Sequence, residues 1–258
     1  MQKYVLQHSP PVSVVLAGGL GTRLRQVAPN MPKPLVPVAG QPFLFWVLSY
    51  LAGQGVRGAV VSAGYRPEQM REFCRDQKIL PEAECVVEPE PMGTAGGFLL
   101  ATQARPSRPD AWLVLNGDSL ACAPLADFFD SLNAAEVSVL AVWQEDASRY
   151  GTLEIGEGAI LKAFREKRAG SGWINAGVYL FRDAILARFP PQRPLSFETE
   201  VFPSLLDQGV AVKVHKVQAP FLDIGTPESL VQAEAFVRGN QNWFPSPPEL
   251  AKRIKKWN

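Results

Sequence analysis

The chain has 258 residues, with 26 Lys and Arg against 25 Asp and Glu for a formal net charge of +1, and 47% of it is hydrophobic. That is enough for one large domain with a sizeable core, and the balanced charge gives no electrostatic case for nucleic acid or a membrane surface as partner. The three cysteines, Cys74, Cys85 and Cys122, show neither CxxC nor metal-ligand spacing, which reads as reduced thiols in a cytoplasmic protein.

In chain order, MQKYVLQHSPP at the N-terminus lacks the apolar core of a signal peptide. VSVVLA (12–17) is a short apolar run of the β-branched type and predicts a buried strand. PFLFWVLSYLA (42–52) is too short to span a bilayer and predicts a core helix. GAVVSAG (58–64) predicts a second strand, and a helix should follow from Pro67. AECVVEPE (83–90), AWLVLNGDS (111–119) and VSVLAVWQ (137–144) predict further strands, separated by helices over 94–104 and from Pro124. This alternation is the pattern of a parallel sheet covered on both faces, an α/β fold. The second half departs from it. TLEIGEGAILKAFRE (152–166) has a Gly-Glu-Gly turn between alternating runs and predicts an antiparallel hairpin. A strand at 172–182, a helix ending at Gly209, short strands in VAVKVHKV and FLDIG, and a helix from Pro227 to about Arg238 complete the pattern. We set the domain at 1–239 and read 240–258 as a Pro-rich break followed by a basic, solvated tail, dispensable for chemistry.

Three glycines, Gly18, Gly19 and Gly21, break the first strand within LAGGLGTRLR, which starts at Leu16 and Ala17. Such a turn brings backbone close to a ligand and turns successive N–H groups into an anion site. Thr22, Arg23, Arg25 and Lys33, the last between two prolines, add a hydroxyl and fixed positive charges. Together they describe a polyphosphate cradle. No GK[ST] closes the run, so it is not a P-loop. Leu24 stands where a dinucleotide fingerprint needs its third glycine.

NGD (116–118) and FLDIGTP (221–227) each close a strand with a carboxylate, Asp118 and Asp223. The first is also an ordinary turn sequence. The second could cap the helix at Pro227, although Thr226 is the better placed cap. Beside a triphosphate cradle two carboxylates can hold Mg²⁺, which leaves its other positions to phosphate and water. EPEPMGTAG (88–96) is either a Pro-rich loop leading to a helix capped by Thr94 or a nucleobase site. In the second case Gly93 permits close approach, and Glu88, or failing that Glu90, accepts from the adjacent N1–H and N2–H donors of guanine. His8 and His215 have no assigned role, and no Ser-His-Asp or Cys-His set is apparent.

GGLGTRL followed by PKP resembles the signature of the sugar-1-phosphate nucleotidylyltransferases, and the resemblance runs over about 12–238. FREK, GWINAGVYL, SFE and FLDIGTP make the chain most similar, in motif order, to the D-glycero-D-manno-heptose 1-phosphate guanylyltransferases within that family. The resemblance implies a single Rossmann-like three-layer domain with a mixed, mostly parallel central sheet, of the nucleotide-diphospho-sugar transferase type. It implies that Leu16, Ala17, Gly18, Gly19, Gly21, Thr22, Glu88, Gly93 and Thr94 bind the nucleoside triphosphate, and that Arg23, Lys33, Asp118 and Asp223 are catalytic. Asp118 and Asp223 would hold the metal. Tyr150, Gly151, Glu166, Lys167 and Asn175 would form the sugar-phosphate pocket, although read alone YG is a turn, EK a solvated pair and NAG a bulge. GTP and a sugar 1-phosphate are the expected partners, Mg²⁺ the expected cofactor, and a homo-oligomer is allowed for. The alternatives are a mannose-1-phosphate, uridylyl or thymidylyl enzyme of the same family, a nucleotidyltransferase for a different acceptor, and a non-catalytic nucleotide-sensing subunit. The last should have lost Arg23, Lys33 or an aspartate, and all of them are present.

Overall fold

A computed structural model describes residues 11–19, 21–24, 28–165, 169–246, 248–250 and 252. Its elements run in the order β1 (Val12–Ala17), a small hairpin of β2 (Pro37–Val38) and β3 (Gln41–Pro42), α1 (Phe43–Gly53), β4 (Gly58–Ala63), α2 (Pro67–Asp76) and β5 (Glu82–Val87). There follow α3 (Thr94–Gln103), β6 (Ala111–Asn116), β7 (Ser119–Ala121), α4 (Ala126–Asp130), β8 (Val137–Gln144), β9 (Thr152–Ile155) and β10 (Leu161–Arg165). The chain continues through β11 (Gly172–Arg182), α5 (Phe202–Asp207), β12 (Val212–Val217), β13 (Phe221–Asp223) and α6 (Pro227–Gly239).

Nine strands form one mixed sheet in the order β10-β9-β11-β6-β1-β4-β5, with β8 on β11 and β12 on β8. Its β6-β1-β4-β5 part is parallel, as the strand–helix alternation requires. The long strand β11 runs antiparallel to both β6 and β8. The expected hairpin is the antiparallel pair β9–β10, whose connection contains a short 3₁₀ turn at Glu157–Ala159.

Successive residues of β1 face opposite sides of the sheet. Val15 and Ala17 join one core cluster with Phe43, Leu44 and Val47 of α1, Met70 of α2 and Phe128 of α4. Val14 joins the other, with Phe98 of α3 and Phe197, Phe202 and Leu205 beside α5. Three layers result. Helix α1 is apolar nearly all round because both its sheet side and its outer side are covered, the latter in part by the segment after α6. That segment differs from the break expected at the Pro-rich start after Gly239, whereas the basic end expected to be solvated lies, but for Lys252, outside the described residues. Phe244 and Leu250 are buried in the first cluster, and the Phe244 ring lies 5.2 Å from that of Trp46. The prolines suggested a break, but the apolar anchors Trp243, Phe244 and Leu250 hold this stretch against the core. Of the basic terminus only Lys252 is among the described residues, and it is exposed.

Candidate active site

The parallel strands carry their loops to one edge of the sheet. Leu16 of β1 pairs with Asn116 of β6, and the Gly117 N–H donates to the Leu16 carbonyl at 2.8 Å. The glycine turn and NGD therefore start from the same level. Asp223 arrives by another route. Strand β13 lies off the main sheet and pairs antiparallel with β7, placing Asp223 opposite Ser119. The Ile224 N–H donates to the Asp118 carbonyl at 2.9 Å. Two aspartates far apart in sequence are thus joined by a short backbone ribbon.

Lys33, on a 3₁₀ turn at Lys33–Leu35, donates from Nζ to Asp118 Oδ2 at 2.6 Å. Its side chain is 12% exposed and that of Asp118 32%. Asp223 Oδ1 accepts from the Gly225 N–H at 2.6 Å. Burial, and then the neighbouring Asp118 charge, hold the Asp223 carboxyl above its usual range, while Lys33 pulls it back. The centre is two crowded carboxylates and one ammonium group.

Three cavities meet there. The first, about 340 Å³, is lined by Leu16, Ala17, Gly19, Gly21, Thr22, Arg23, Lys33, Asp118 and Asp223, so nearly all of the expected phosphate and catalytic residues share it. The second, about 300 Å³, shares Leu16, Gly19 and Asp118 with the first and adds Gly18, Glu88, Gly93, Thr94 and Asn116. The third, about 680 Å³, shares Arg23 and Asp223 and adds Tyr150, Gly151, Asn175, Arg149 and Glu198. Glu90 is exposed and lines none of these three. Glu166 and Lys167 lie outside the described residues.

Glu88 is held before any ligand arrives. Its Oε1 accepts from Ser62 Oγ at 2.9 Å, and its Oε2 from the Met92 N–H at 3.3 Å. A Cβ on Gly18 would come within 2.6 Å of the Glu88 carboxyl carbon, so only glycine lets this carboxylate lie against the turn. Gly93 has φ +75°, and a Cβ there would stand 2.5 Å from the Leu195 carbonyl oxygen. Gly93, not Thr94, occupies the cap position of α3. Thr94 is the first helical residue, and its Oγ1 accepts from the Phe197 N–H at 2.9 Å. Thr226 does cap α6, accepting from the Ser229 N–H. Asp223 is thereby free for the site.

Several lining residues carried no sequence assignment. Arg149, beside the YG turn, donates to Thr226 Oγ1 at 3.1 Å and lies over the Tyr150 ring. Glu198, in the SFE motif, sits on a π-helical turn at Phe197–Val201. A charged residue next to each recognised motif was the available signal. No group of three or more His, Cys, Asp or Glu side chains arranged for a metal exists among the described residues, and no helix among them is long and apolar enough to cross a membrane.

An open α/β sheet with a glycine turn, two carboxylates and flanking pockets beyond its strand ends defines a nucleotide-handling class of protein. The family described as nucleotidyl transferase matches residues 12–240, and the chain belongs to it. It is 38% identical over 234 residues to a mannose-1-phosphate guanylyltransferase of Mycobacterium tuberculosis, a match covering 88% of this chain and 65% of that protein. It is 30% identical over 220 residues to a D-glycero-alpha-D-manno-heptose 1-phosphate guanylyltransferase of Campylobacter jejuni, covering 84% of this chain and 95% of that one. The crystal structure of HddC from Yersinia pseudotuberculosis complexed with GMP-PN superimposes with a TM-score of 0.79 at 31% identity, covering 88% of this chain and 99% of that one. The chain therefore spans just under two thirds of the mycobacterial relative and nearly all of the other two.

Proposed function

We propose that this protein transfers a nucleotidyl group from GTP to a manno-configured sugar 1-phosphate, giving GDP-sugar and pyrophosphate. The observation that carries this reading is the linear run of cavities. A base-sized pocket ends in Glu88, the cationic glycine turn lies in the middle, and a larger polar pocket lies beyond Arg23 and Asp223. A nucleoside triphosphate fits the first two with its α-phosphate near Asp118. A sugar phosphate in the third then faces that phosphorus.

The chemistry is in-line displacement. An oxygen of the sugar phosphate bonds to the α-phosphorus while the bond to the β-bridging oxygen breaks, and pyrophosphate carries away the electron pair. The attacking phosphate has a second pKa of about 6, so it is already ionised near neutral pH and needs no protein base. The chain's contribution is placement and charge compensation. Arg23 lines both the phosphate cavity and the sugar cavity, a position from which it meets charge developing on the departing pyrophosphate. Lys33 compensates the α-phosphate oxygens once it leaves Asp118. Lys167 would steer the attacking phosphate.

Asp118 and Asp223 fit Mg²⁺. Their donor set is all oxygen, and two half-buried carboxylates crowded together, which hold Asp223 above its usual range, favour a cation beside them. When bound, the ion supplies charge neutralisation and orientation at the phosphate oxygens.

Guanine is favoured because Glu88 keeps acceptor capacity after Ser62 and Met92 have taken one site on each oxygen. A carboxylate offers about four lone-pair sites, leaving two for N1–H and N2–H in a charge-assisted pair. A heptose 1-phosphate is the first reading for the sugar, from the motif order and the Campylobacter relative. Mannose 1-phosphate is the second, favoured by the 38% identity to the mycobacterial protein.

The test is a pyrophosphate-release panel of four nucleotides against mannose, heptose and glucose 1-phosphates. GTP should have the highest specificity constant, with inosine triphosphate between GTP and ATP, and Glu88→Gln should weaken GTP most. Equal use of UTP or dTTP by the wild type would sink the guanylyl assignment. No turnover with any pair would sink the activity.

A further inference from the structure

Between the base pocket and the sugar pocket lies a hydrogen-bonded set of side chains that the proposed chemistry does not use. Its centre is Glu198, which lines the sugar pocket. Both of its oxygens are held from behind. Oε1 accepts from the Tyr179 hydroxyl at 2.8 Å. Oε2 accepts from Ser196 Oγ at 3.0 Å and from Thr94 Oγ1 at 3.4 Å. Tyr179 is fully buried, and its oxygen in turn accepts from Asn175 Nδ2 at 2.8 Å. Asn175 lines the same sugar pocket, and its Oδ1 fixes the Gly177 N–H at 3.0 Å. Thr94 belongs to the other side, since it lines the base pocket next to Gly93 and Glu88.

Backbone reinforces the bridge at the same place. The Leu195 carbonyl accepts from Ala95 and Gly96 in the first turn of α3, at 2.9 and 3.0 Å, and the Leu195 N–H donates to Met92. The loop that surrounds the base and the turn that carries Glu198 are therefore one sewn unit.

A fold alone does not require this. The rings around Tyr179 are Phe181, Phe197 and Phe202, and a phenylalanine would pack among them without the cost of burying a phenol beside a carboxylate. What the hydroxyl adds is a fixed orientation for Glu198. With three of about four acceptor sites engaged, one remains on a carboxylate that lines the sugar pocket. A sugar hydroxyl donated there meets a carboxylate whose direction Tyr179, Ser196 and Thr94 set together, so a change at the base pocket is felt in the sugar pocket.

We propose that Glu198, held by Tyr179 and tied to Thr94, is a positioning residue that couples sugar-phosphate binding to nucleotide binding. The inference rests on the nucleotidyl-transfer reading above. Coupling of this kind is reciprocal and usually amounts to about 5- to 150-fold.

The experiment uses the whole chain, with GTP and mannose 1-phosphate or heptose 1-phosphate, whichever the wild type turns over. Thr94→Val keeps the side-chain shape and removes both the bond to Glu198 and the one accepted from the Phe197 N–H, so that both ties to the turn carrying Glu198 are cut from the nucleotide side. It should raise the KM for the sugar phosphate about fivefold or more with GTP saturating. Thr94→Ser, which restores the hydroxyl, should return the KM toward wild type. Tyr179→Phe should raise the same KM, and adding it to Thr94→Val should not multiply the effect, because both act through one carboxylate. In binding titrations with the uncleavable α,β-methylene analogue of GTP, the change in affinity caused by added sugar phosphate should shrink in both variants. Should Thr94→Val alter only the GTP KM, the coupling is absent. A Tyr179→Phe protein that melts lower but keeps both KM values would reduce the set to a structural one. Both results overturn the inference while leaving the activity standing. A wild type without turnover removes the activity itself, and this inference with it.

Discussion

Replacing Lys33 with methionine tests the centre of the site without touching either aspartate. The ammonium stands 2.6 Å from Asp118 and is the larger of two charges, with Arg149, that pull the half-buried Asp223 carboxyl back toward its ordinary range. At that distance and an effective dielectric of about 20, a unit pair attracts by about 6 kcal/mol before desolvation is counted. Breaking a fully buried pair costs about 3–5 kcal/mol and an exposed one about 0–1 kcal/mol. With Lys33 12% and Asp118 32% exposed, the loss should lie between these limits, at about 2 kcal/mol. A chain of this size shifts its melting midpoint by about 2–4 °C per kcal/mol, so a fall of about 4–8 °C is expected. The assay is thermal unfolding at constant ionic strength, with and without millimolar Mg²⁺. The variant leaves the two carboxylates without the Lys33 charge, so Mg²⁺ should raise its midpoint more than that of the wild type. A variant that melts within about 1 °C of wild type and gains nothing extra from Mg²⁺ would refute the reasoning, because Lys33 would then not be the counter-charge of the pair.

Arg23→Ala should lower kcat by about 100-fold with a small change in the KM for GTP, since charge on the departing pyrophosphate grows only toward the transition state; a change in KM alone would contradict the role. Truncation after residue 239 should lower the melting midpoint, because Phe244 and Leu250 leave the core cluster and the Trp46 ring loses its partner. The same truncation should retain turnover below that midpoint, and an unchanged midpoint would show that the segment does not stabilise the fold.

The parallel half of the fold was legible because its strands are short β-branched runs separated by helices of ordinary length, and α1 because it is apolar on every side. The glycine turn was legible for a local reason, since strand, glycines and cations all fall within a few residues. What could not be read was pairing. FLDIG looks like one more short strand, and nothing in its composition says that it leaves the main sheet to pair with β7. Thr94 looked like a helix cap because Thr before an apolar run is one by habit. Gly93 takes the cap because the backbone must pass close to the Leu195 carbonyl, a contact set about 100 residues away. Tyr179 sits in VYLF, where the pattern says core, and of its two hydroxyl partners Asn175 lies on the same strand and Glu198 on a turn 19 residues further on. A buried polar network leaves no periodicity behind.

The separation of these parts bears on which substrates such a centre can serve. Asp118 and Asp223 are set by the β7–β13 ribbon and one further backbone hydrogen bond, so their spacing does not depend on the pocket side chains. Glu88 and Gly93 come from the loop between β5 and α3, whereas Tyr150, Gly151 and Glu198 come from loops and turns on the other half of the chain. Changes in the sugar pocket can therefore alter the accepted sugar while leaving the aspartates, Arg23 and Lys33 in place. Similarity to relatives named for mannose and for heptose establishes the family, and on the proposed reading the choice of sugar would fall to the residues lining the larger cavity, 148–151, 175, 198 and 199. The Thr94–Glu198 contact crosses this division. A substitution on the turn at 196–199 that changes sugar choice should accordingly also disturb the nucleotide side, whereas one at Tyr150 should not.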